Sequence, residues 1–209
     1  MTPRRWLTGA LALALVIACA NESLVQDRGK GAAGASPIAI SKVAVVGFHA
    51  MPREGAEPIR PDATDLVASY VADAFSASGI DTVPPSDVEQ ALGADAGSAG
   101  SATSVVQQAA QHFGANAVAV GTVYKFRERS GEALGTTQPA SVGFEVKLYT
   151  ADGRLYGAKL FDHTQVALSE NALTATQYPG GGTRWLTAEE LAHWGAQQLV
   201  KSFGLAAAR

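Results

Sequence analysis

The sequence predicts a single α/β domain in which helices pack on a mixed sheet of about five strands, forming two or three layers. Two short apolar runs, at 43–46 and 117–120, are typical of strands that are buried on both faces. Between these runs lie segments whose apolar residues recur at helical spacing. Residues 141–150 then alternate apolar and polar side chains and lead through an Asp-Gly turn into a returning segment, which predicts an antiparallel hairpin.

The first 18 residues predict a secretory signal, which is not part of the domain. Arg4 and Arg5 precede an apolar run from Leu7 to Ile17. That run is shorter than the roughly 20 residues that a membrane-spanning helix needs. The alternative interpretation of the run is a short buried helix. Cys19 is the only cysteine of the chain, so an intrachain disulfide and a thiolate metal cluster are both excluded.

The stretch Val16-Ile17-Ala18-Cys19 resembles the lipobox of bacterial lipoproteins. The resemblance implies that the Cys19 thiol is acylated and that Cys19 becomes the first residue of the mature chain. Stable anchoring needs more than one acyl chain, and the triacylated, palmitate-bearing end of that family meets this need. Ala20 follows the cysteine where a retained lipoprotein carries Asp. The resemblance therefore implies the inner leaflet of the outer membrane, with the protein facing the periplasm.

Charge and composition limit the partners and the domain boundaries. The whole chain has a formal net charge of −3, and removal of residues 1–18 with their two arginines leaves −3 − 2 = −5. An acidic body argues against nucleic acid as a partner and against electrostatic docking on anionic lipid. Residues 19–40 are rich in Gly, Ala and Ser and predict a flexible tether of at most about 70 Å. The folded domain is expected at 41–204, with a frayed tail at 205–209.

The first half of the domain begins with a predicted central strand at 41–48. The proline-rich loop 49–61 follows its carboxyl end, where open α/β sheets place ligands. Apolar residues at helical spacing then predict a helix to about Ser78, which Gly79 ends in the left-handed conformation. Solvated loop residues are the simpler interpretation of 49–61, but three of its side chains are candidate site residues: His49, Arg53 and Glu54.

The middle of the chain returns to the sheet twice. A short strand is predicted at 80–83, and Ser86 with Glu89 has the spacing of a capping box at the start of a short helix. A further helix is predicted at 103–113. It leads into the strand 116–127, which we expect at the centre of the sheet because its first half is entirely apolar.

The last part of the chain carries the candidate binding residues. Trp, Tyr and Arg are enriched at interface hot spots, and three such residues surround the glycine run 180–182: Tyr178, Arg184 and Trp185. The alternative is that Trp185 and Trp194 pack the last helix against the sheet. That helix is predicted to start at a capping box headed by Thr187 and to run to about Phe203, with Gly195 on its buried stripe.

No catalytic or metal-binding motif is recognisable. The four histidines, at 49, 112, 163 and 193, are not three or four residues apart, so no helical metal pair is predicted. The sequence contains no G-x-S-x-G turn, although a Ser–His–Asp triad is a spatial arrangement that sequence spacing does not exclude. We therefore predict no catalytic residue, no metal and no cofactor.

Four stretches together resemble one group of bacterial envelope proteins. They are VAVVGF at 43–48, LVASYVADAFSASGIDTVPPSDVEQAL at 66–92, GANAVAVGTVYKF at 114–126 and VGFEVKLYTADGRLY at 142–156. The group includes the curli secretion channel, the lipoprotein activators of penicillin-binding proteins and the amino-terminal domain of the Tol periplasmic protein. The curli-type channel implies two membrane hairpins per subunit, whereas this chain offers one candidate pair of strands.

The signal, the charge and the resemblance lead to one expected function. The chain is expected to be a lipid-anchored, non-catalytic binding or assembly module of the cell envelope. Its partner is expected to be another envelope protein or a second copy of itself, with no nucleic acid and no small-molecule cofactor. The first alternative is an oligomeric subunit of an export apparatus, and the second is an envelope hydrolase.

Overall fold

The computed structural model describes residues 24–30, 39–53, 57–93, 102–167, 169–170 and 176–205. The predicted signal and Cys19 lie outside these residues. A short 3₁₀ turn, Pro179–Gly182, precedes the last helix. In chain order, the strands and helices are β1 (Val25–Lys30), β2 (Lys42–Val45), β3 (His49–Ala50), α1 (Ala63–Ala77), β4 (Asp81–Val83), α2 (Pro85–Leu92), α3 (Ala102–Phe113), β5 (Ala117–Arg127), β6 (Ser130–Glu132), β7 (Gly135–Gln138), β8 (Ser141–Thr150), β9 (Leu155–Thr164) and α4 (Ala188–Ser202).

Seven strands form one mixed sheet in the order β1-β9-β8-β5-β2-β4, with the short β3 beside the second half of β5. The pairs β2–β4, β2–β5 and β3–β5 are parallel, whereas β5–β8, β8–β9 and β1–β9 are antiparallel. The sheet thus has a parallel half and an antiparallel half that meet at β5. The sequence prediction of a mixed α/β sheet with β5 at its centre is confirmed.

Helices α1 and α4 cover one face of the sheet along both halves. The buried side of β8, including Phe144 and Val146, packs with Phe161 of β9 against these helices. Gly195 allows the close approach of α4, because a Cβ at this position would lie 2.6 Å from the Phe161 ring. This contact supports the prediction that the glycine lies on the buried stripe.

Helices α2 and α3 lie on the other face and cover a smaller part of it. Their buried residues, Val88, Val106, Ala109 and Ala110, form a second cluster with apolar residues of β2, β4 and the first half of β5. Among the described residues, this cluster reaches β8 only at Tyr149 and includes no residue of β9 or β1. The two faces of the antiparallel half therefore differ in their cover.

Local signals explain most helix ends. The capping box at Thr187 is confirmed, because the Thr187 hydroxyl accepts from the Glu190 amide at 3.1 Å and the Thr187 amide donates to the Glu190 carboxylate at 3.0 Å. Such a cap stabilises a helix by about 1 kcal/mol. The left-handed Gly79 after α1 is also present, with φ of 79°. The capping box predicted at Ser86 is wrong: Pro84 is the N-cap and Pro85 the first helical residue. Proline suits the first helical position because an amide N–H there would have no hydrogen-bond partner within the helix.

The tether prediction is wrong over residues 25–30. These residues form β1, the strand at the edge of the sheet, where Val25 pairs with Phe161 and Lys30 with Gly157. Leu24 and Val25 pack against the main core. Residues 25–30 are mostly polar and give no strand pattern, and they form a strand because they pair with β9. The hairpin β6–β7 also lies where only a polar loop was expected. Within the described part of the chain, no helix is long and apolar enough to cross a membrane.

Candidate interaction surfaces

Tyr178, the first of the three predicted binding residues, belongs to the core. Its exposed fraction is 2%, so its side chain is not available to a partner. The hydroxyl hydrogen-bonds with His163 Nε2 and accepts from the Val166 amide at 3.2 Å. Burial raises the pKa of Tyr178, and its ring lies 5.2 Å from the ring of Trp194. Tyr178 thus holds the glycine loop against α4 and β9.

Arg184 and Trp185 lie together at one end of the sheet. With Leu134, Val166 and Gln165 they line an open surface pocket of about 440 Å³. The Trp185 amide donates to the Ala133 carbonyl at 2.8 Å, which joins this segment to the β6–β7 hairpin. We call this end, where β5 and β9 finish and β8 begins, the hairpin end of the sheet.

Arg184 and Gln165, two polar side chains of this pocket, are paired with protein groups. Arg184 donates two hydrogen bonds of 2.7 Å to the Glu190 carboxylate. These bonds, with the Thr187 amide, outweigh burial and lower the pKa of Glu190 to about 2. Gln165 is buried and bridges the Arg184 carbonyl and the Leu186 amide, at 2.9 and 2.7 Å. The pocket also offers apolar contact, from the Trp185 ring and from Leu134, which is 86% exposed.

The second surface is the face of the antiparallel half that α2 and α3 leave uncovered. We define this open face by Tyr124 and Lys125 of β5, Glu145 and Lys147 of β8, and Asp162 of β9. The consecutive Tyr124 and Lys125 share this face because the strand register shifts between Val123 and Lys125. Tyr124 donates to Glu145 at 2.9 Å, and Lys147 lies 3.8 Å from the same carboxylate. Burial of Tyr124 and its hydrogen bond to Glu145 raise the pKa of the tyrosine.

Asp162 is the centre of the other ion cluster on the open face. It accepts from Lys125 at 2.7 Å and pairs with Arg53 at 2.9 Å. Burial acts to raise the pKa of Asp162, but the two cations outweigh it and the pKa is lowered. The Arg53 guanidinium also lies 5.7 Å from the centre of the Tyr124 ring. Arg53, a candidate from the loop 49–61, thus belongs to this surface.

The remaining candidates do not assemble a reaction centre. His49 Nε2 contacts the Thr122 hydroxyl at 3.0 Å, and Glu54 lies outside the described residues. Asp162 and His163 are adjacent on β9, but their side chains have different partners, because successive side chains of a strand point to opposite faces. Asp162 pairs with Lys125 and Arg53, whereas His163 hydrogen-bonds with Tyr178. In the part of the chain that the structure describes, no cluster of three potential metal ligands is found.

Sequence reasoning missed most of the open face. Lys125, Glu145 and Lys147 were visible as polar positions on predicted strands, but such positions normally mark a solvated side. What brings them together with Arg53 is the strand order, which places β5, β8 and β9 side by side. The sequence did contain one signal for this surface. Glu145 and Lys147, two long charged residues, alternate with apolar residues on β8, and the long stems of such side chains cover neighbouring apolar surface.

Comparison with known proteins establishes the fold. No protein-family model and no curated protein matches the sequence. Among solved structures, the PelC dodecamer from Paraburkholderia phytofirmans aligns at a TM-score of 0.52 and 18% identity, covering 88% of this chain and 98% of that chain. Lipoprotein GNA1162 from Neisseria meningitidis aligns at 0.43 and 18% identity, covering 60% and 81% of the two chains. The LpoB C-terminal domain from Salmonella enterica aligns at 0.39 and 16% identity, covering 63% and 88%.

These neighbours match the group that the sequence resembles. PelC shares the fold over nearly its whole length. At this level of identity the likeness shows the fold alone, because one fold carries many functions.

Proposed function

We propose that this protein is an outer-membrane lipoprotein, anchored through Cys19 and facing the periplasm, that acts as a non-catalytic assembly module. The observation that carries the proposal is the fold shared over almost the full length of a protein that forms a dodecamer. A domain that has no catalytic role can act by binding other copies of itself, and self-association is the simplest such role for this fold. The lipobox at Val16–Cys19 supports the anchor.

The position of β1 supports a short distance between domain and membrane. β1 runs antiparallel to β9, with Val25 opposite Phe161, so β1 begins at the hairpin end of the sheet. Five residue steps separate Cys19 from Leu24, and a fully extended chain of that length spans about 18 Å. The tether that was expected to extend to residue 40 is therefore much shorter, and the hairpin end lies next to the bilayer.

The side chains at the hairpin end suit this position. Leu134 is highly exposed and Trp185 is half-buried beside it. Tryptophan and leucine are side chains that interfacial segments place at the boundary of headgroups and acyl chains. Their arginine neighbour is paired with Glu190, so the contact does not depend on anionic lipid, in agreement with the acidic charge of the mature chain.

Replacing the acylated cysteine tests the anchor. Cys19→Ala should accumulate as unacylated precursor and leave the outer-membrane fraction, because the thiol that carries the lipid is missing. Fractionation of envelopes with mass spectrometry of the amino terminus measures both effects. Ala20→Asp is the matched control: it keeps the lipid and is expected in the inner membrane. Unchanged outer-membrane fractionation of Cys19→Ala would contradict the lipoprotein proposal.

An oligomeric ring subunit of an export apparatus is the second candidate. The dodecameric state of PelC favours it. The mass of the acylated protein in mild detergent, from light scattering with the micelle subtracted, separates the candidates. A mass of many subunits supports the ring, whereas a mass of one or two subunits supports a smaller assembly module.

A further inference from the structure

On the sheet face that α2 and α3 occupy, one half is raised by the two helices and the other half, in the part of the chain that the structure describes, carries no helix, so the surface has the shape of a step. The two helices stand on β4, β2 and the first half of β5 and form what we call the α2–α3 ridge. Beside the ridge lies the open face, where the backbone layer is covered by side chains such as Lys125 and Lys147. Leu160 on this face is 2% exposed, yet it belongs to neither helix-covered cluster.

The two parts of the step carry opposite charge. Helices α2 and α3 contain Asp87 and Glu89 and no lysine or arginine. On the open face, Lys125, Lys147 and Arg53 exceed the two carboxylates of Glu145 and Asp162. Arg28 also interacts electrostatically with Tyr124, although the pKa of Tyr124 is raised overall. The acidic ridge and the basic open face are therefore complementary, although both belong to one protein whose overall charge is acidic.

We propose that the open face of one copy binds the α2–α3 ridge of a second copy. Both surfaces lie on the same side of one sheet, so two copies can bring them together only by facing each other. A two-fold axis parallel to the strands places each ridge over the partner's open face, and the same contact forms twice. The inference rests on the proposed function, because this axis leaves both hairpin ends, and both lipids, on one side of the dimer.

The dimensions and the anchor agree with this contact. Helices of 8 and 12 residues are about 12 and 18 Å long, while strands spaced about 4.8 Å apart give β5, β8, β9 and β1 a width of about 14 Å. A stable interface buries about 800 Å² on each partner. The ridge contact forms twice in the dimer, so the buried area is twice that of a single ridge contact. Anchoring in a common membrane also raises the effective concentration of the copies.

A charge exchange across the contact tests the proposal. Lys147 on the open face and Asp87 on the ridge are both exposed. We expect Lys147→Glu and Asp87→Lys each to weaken dimerisation at least tenfold, because each places like charges opposite one another, and we expect the double variant to return to within threefold of the unmodified protein. The measurement is the mass of the acylated full chain in mild detergent over a dilution series.

Two variants control for charge and helix effects. Lys201→Glu changes an exposed lysine of α4, and Asp65→Lys changes an exposed acid in the first turn of α1. Both helices lie on the covered face, so dimerisation should be unaffected. Asp65→Lys also removes the same favourable helix-dipole contact as Asp87→Lys.

The outcomes separate this inference from the proposed function. Dimerisation that neither reversal weakens overturns the ridge contact. A cyclic ring of many subunits also overturns it, because neighbours in such a ring are related by a rotation smaller than 180° and not by a two-fold axis. A protein that stays monomeric while its membrane location still requires Cys19 overturns the dimer and leaves the lipoprotein proposal intact. Membrane location that is independent of Cys19 overturns the proposed function itself.

Discussion

Leu160 and Phe161 are consecutive residues of β9 with different surroundings. Phe161 lies under α4, 5.9 Å from the Trp194 ring and 5.4 Å from the Phe144 ring, and its neighbours are packed side chains of a large core. Leu160 is almost equally buried, but it lies on the open face, outside both helix-covered clusters. The same degree of burial thus occurs once within a helix-covered core and once outside both helix-covered clusters.

This difference teaches that exposure alone does not measure packing. A core held by helices leaves a cavity when a side chain is removed, because its surroundings relax only in part. Lysine and arginine stems can move to fill such a space, since they are bound at one end only. The covered face should therefore carry most of the stability, and the open face should tolerate change and remain available for contacts.

The largest expected effect comes from truncating the two neighbours separately. Phe161→Ala should lower the free energy of unfolding by about 3–5 kcal/mol, whereas Leu160→Ala should lower it by about 2 kcal/mol, the low end of the range for buried leucine. Urea unfolding of the soluble domain without its lipid measures both. Equal losses would contradict the distinction between a rigid and a flexible cover.

A medium effect is expected from filling the contact between α4 and the sheet. Gly195→Ala places a Cβ about 2.6 Å from the Phe161 ring and should cost about 1–3 kcal/mol, because overpacking forces the helix or the ring to move. Gly135→Ala is the matched control, since a Cβ there meets nothing within 4 Å. The comparison is sharpened if Phe161→Leu in the Gly195→Ala background restores part of the lost stability.

The smallest effect concerns the ion pair at the start of α4. The folded pKa of Glu190 is about 2, below its ordinary value of 4.5, so this group contributes stability above about pH 4.5 that is lost as the pH falls towards 2. The pair is about 40% exposed, which limits the contribution to about 1 kcal/mol or less. Glu190→Gln should flatten the pH dependence of unfolding in this window.

An exposed control isolates that pH effect. Glu132→Gln changes an exposed glutamate of the β6 strand and should leave the pH dependence unchanged. Asp162 on the open face contributes with the same sign, because its folded pKa is also lowered. An unchanged slope in Glu190→Gln would mean that the Arg184 pair contributes nothing to stability in solution.

Much of the fold could be predicted because its signals are local. The apolar run before Gly121, the Asp-Gly turn at Asp152-Gly153 and the capping box at Thr187 depend on residues that are close in sequence, and each lies where it was expected. The candidate site was predicted less well. Arg184 and Trp185 do lie at one surface pocket, whereas Tyr178 is a core residue. A tyrosine can serve either in a core or at a binding surface, so its residue type alone does not distinguish the two roles.

The sequence by itself determined the α/β class and the order of the main elements, because periodicity, turn chemistry and short motifs depend on adjacent residues. It also predicts a lipobox at Cys19. Only the tertiary structure decided that 25–30 is an edge strand and that Arg53, Lys125 and Asp162 meet on one face. The reason is physical. A polar segment becomes a strand when a neighbouring edge satisfies its backbone hydrogen bonds, and charges far apart in sequence meet only through the strand order.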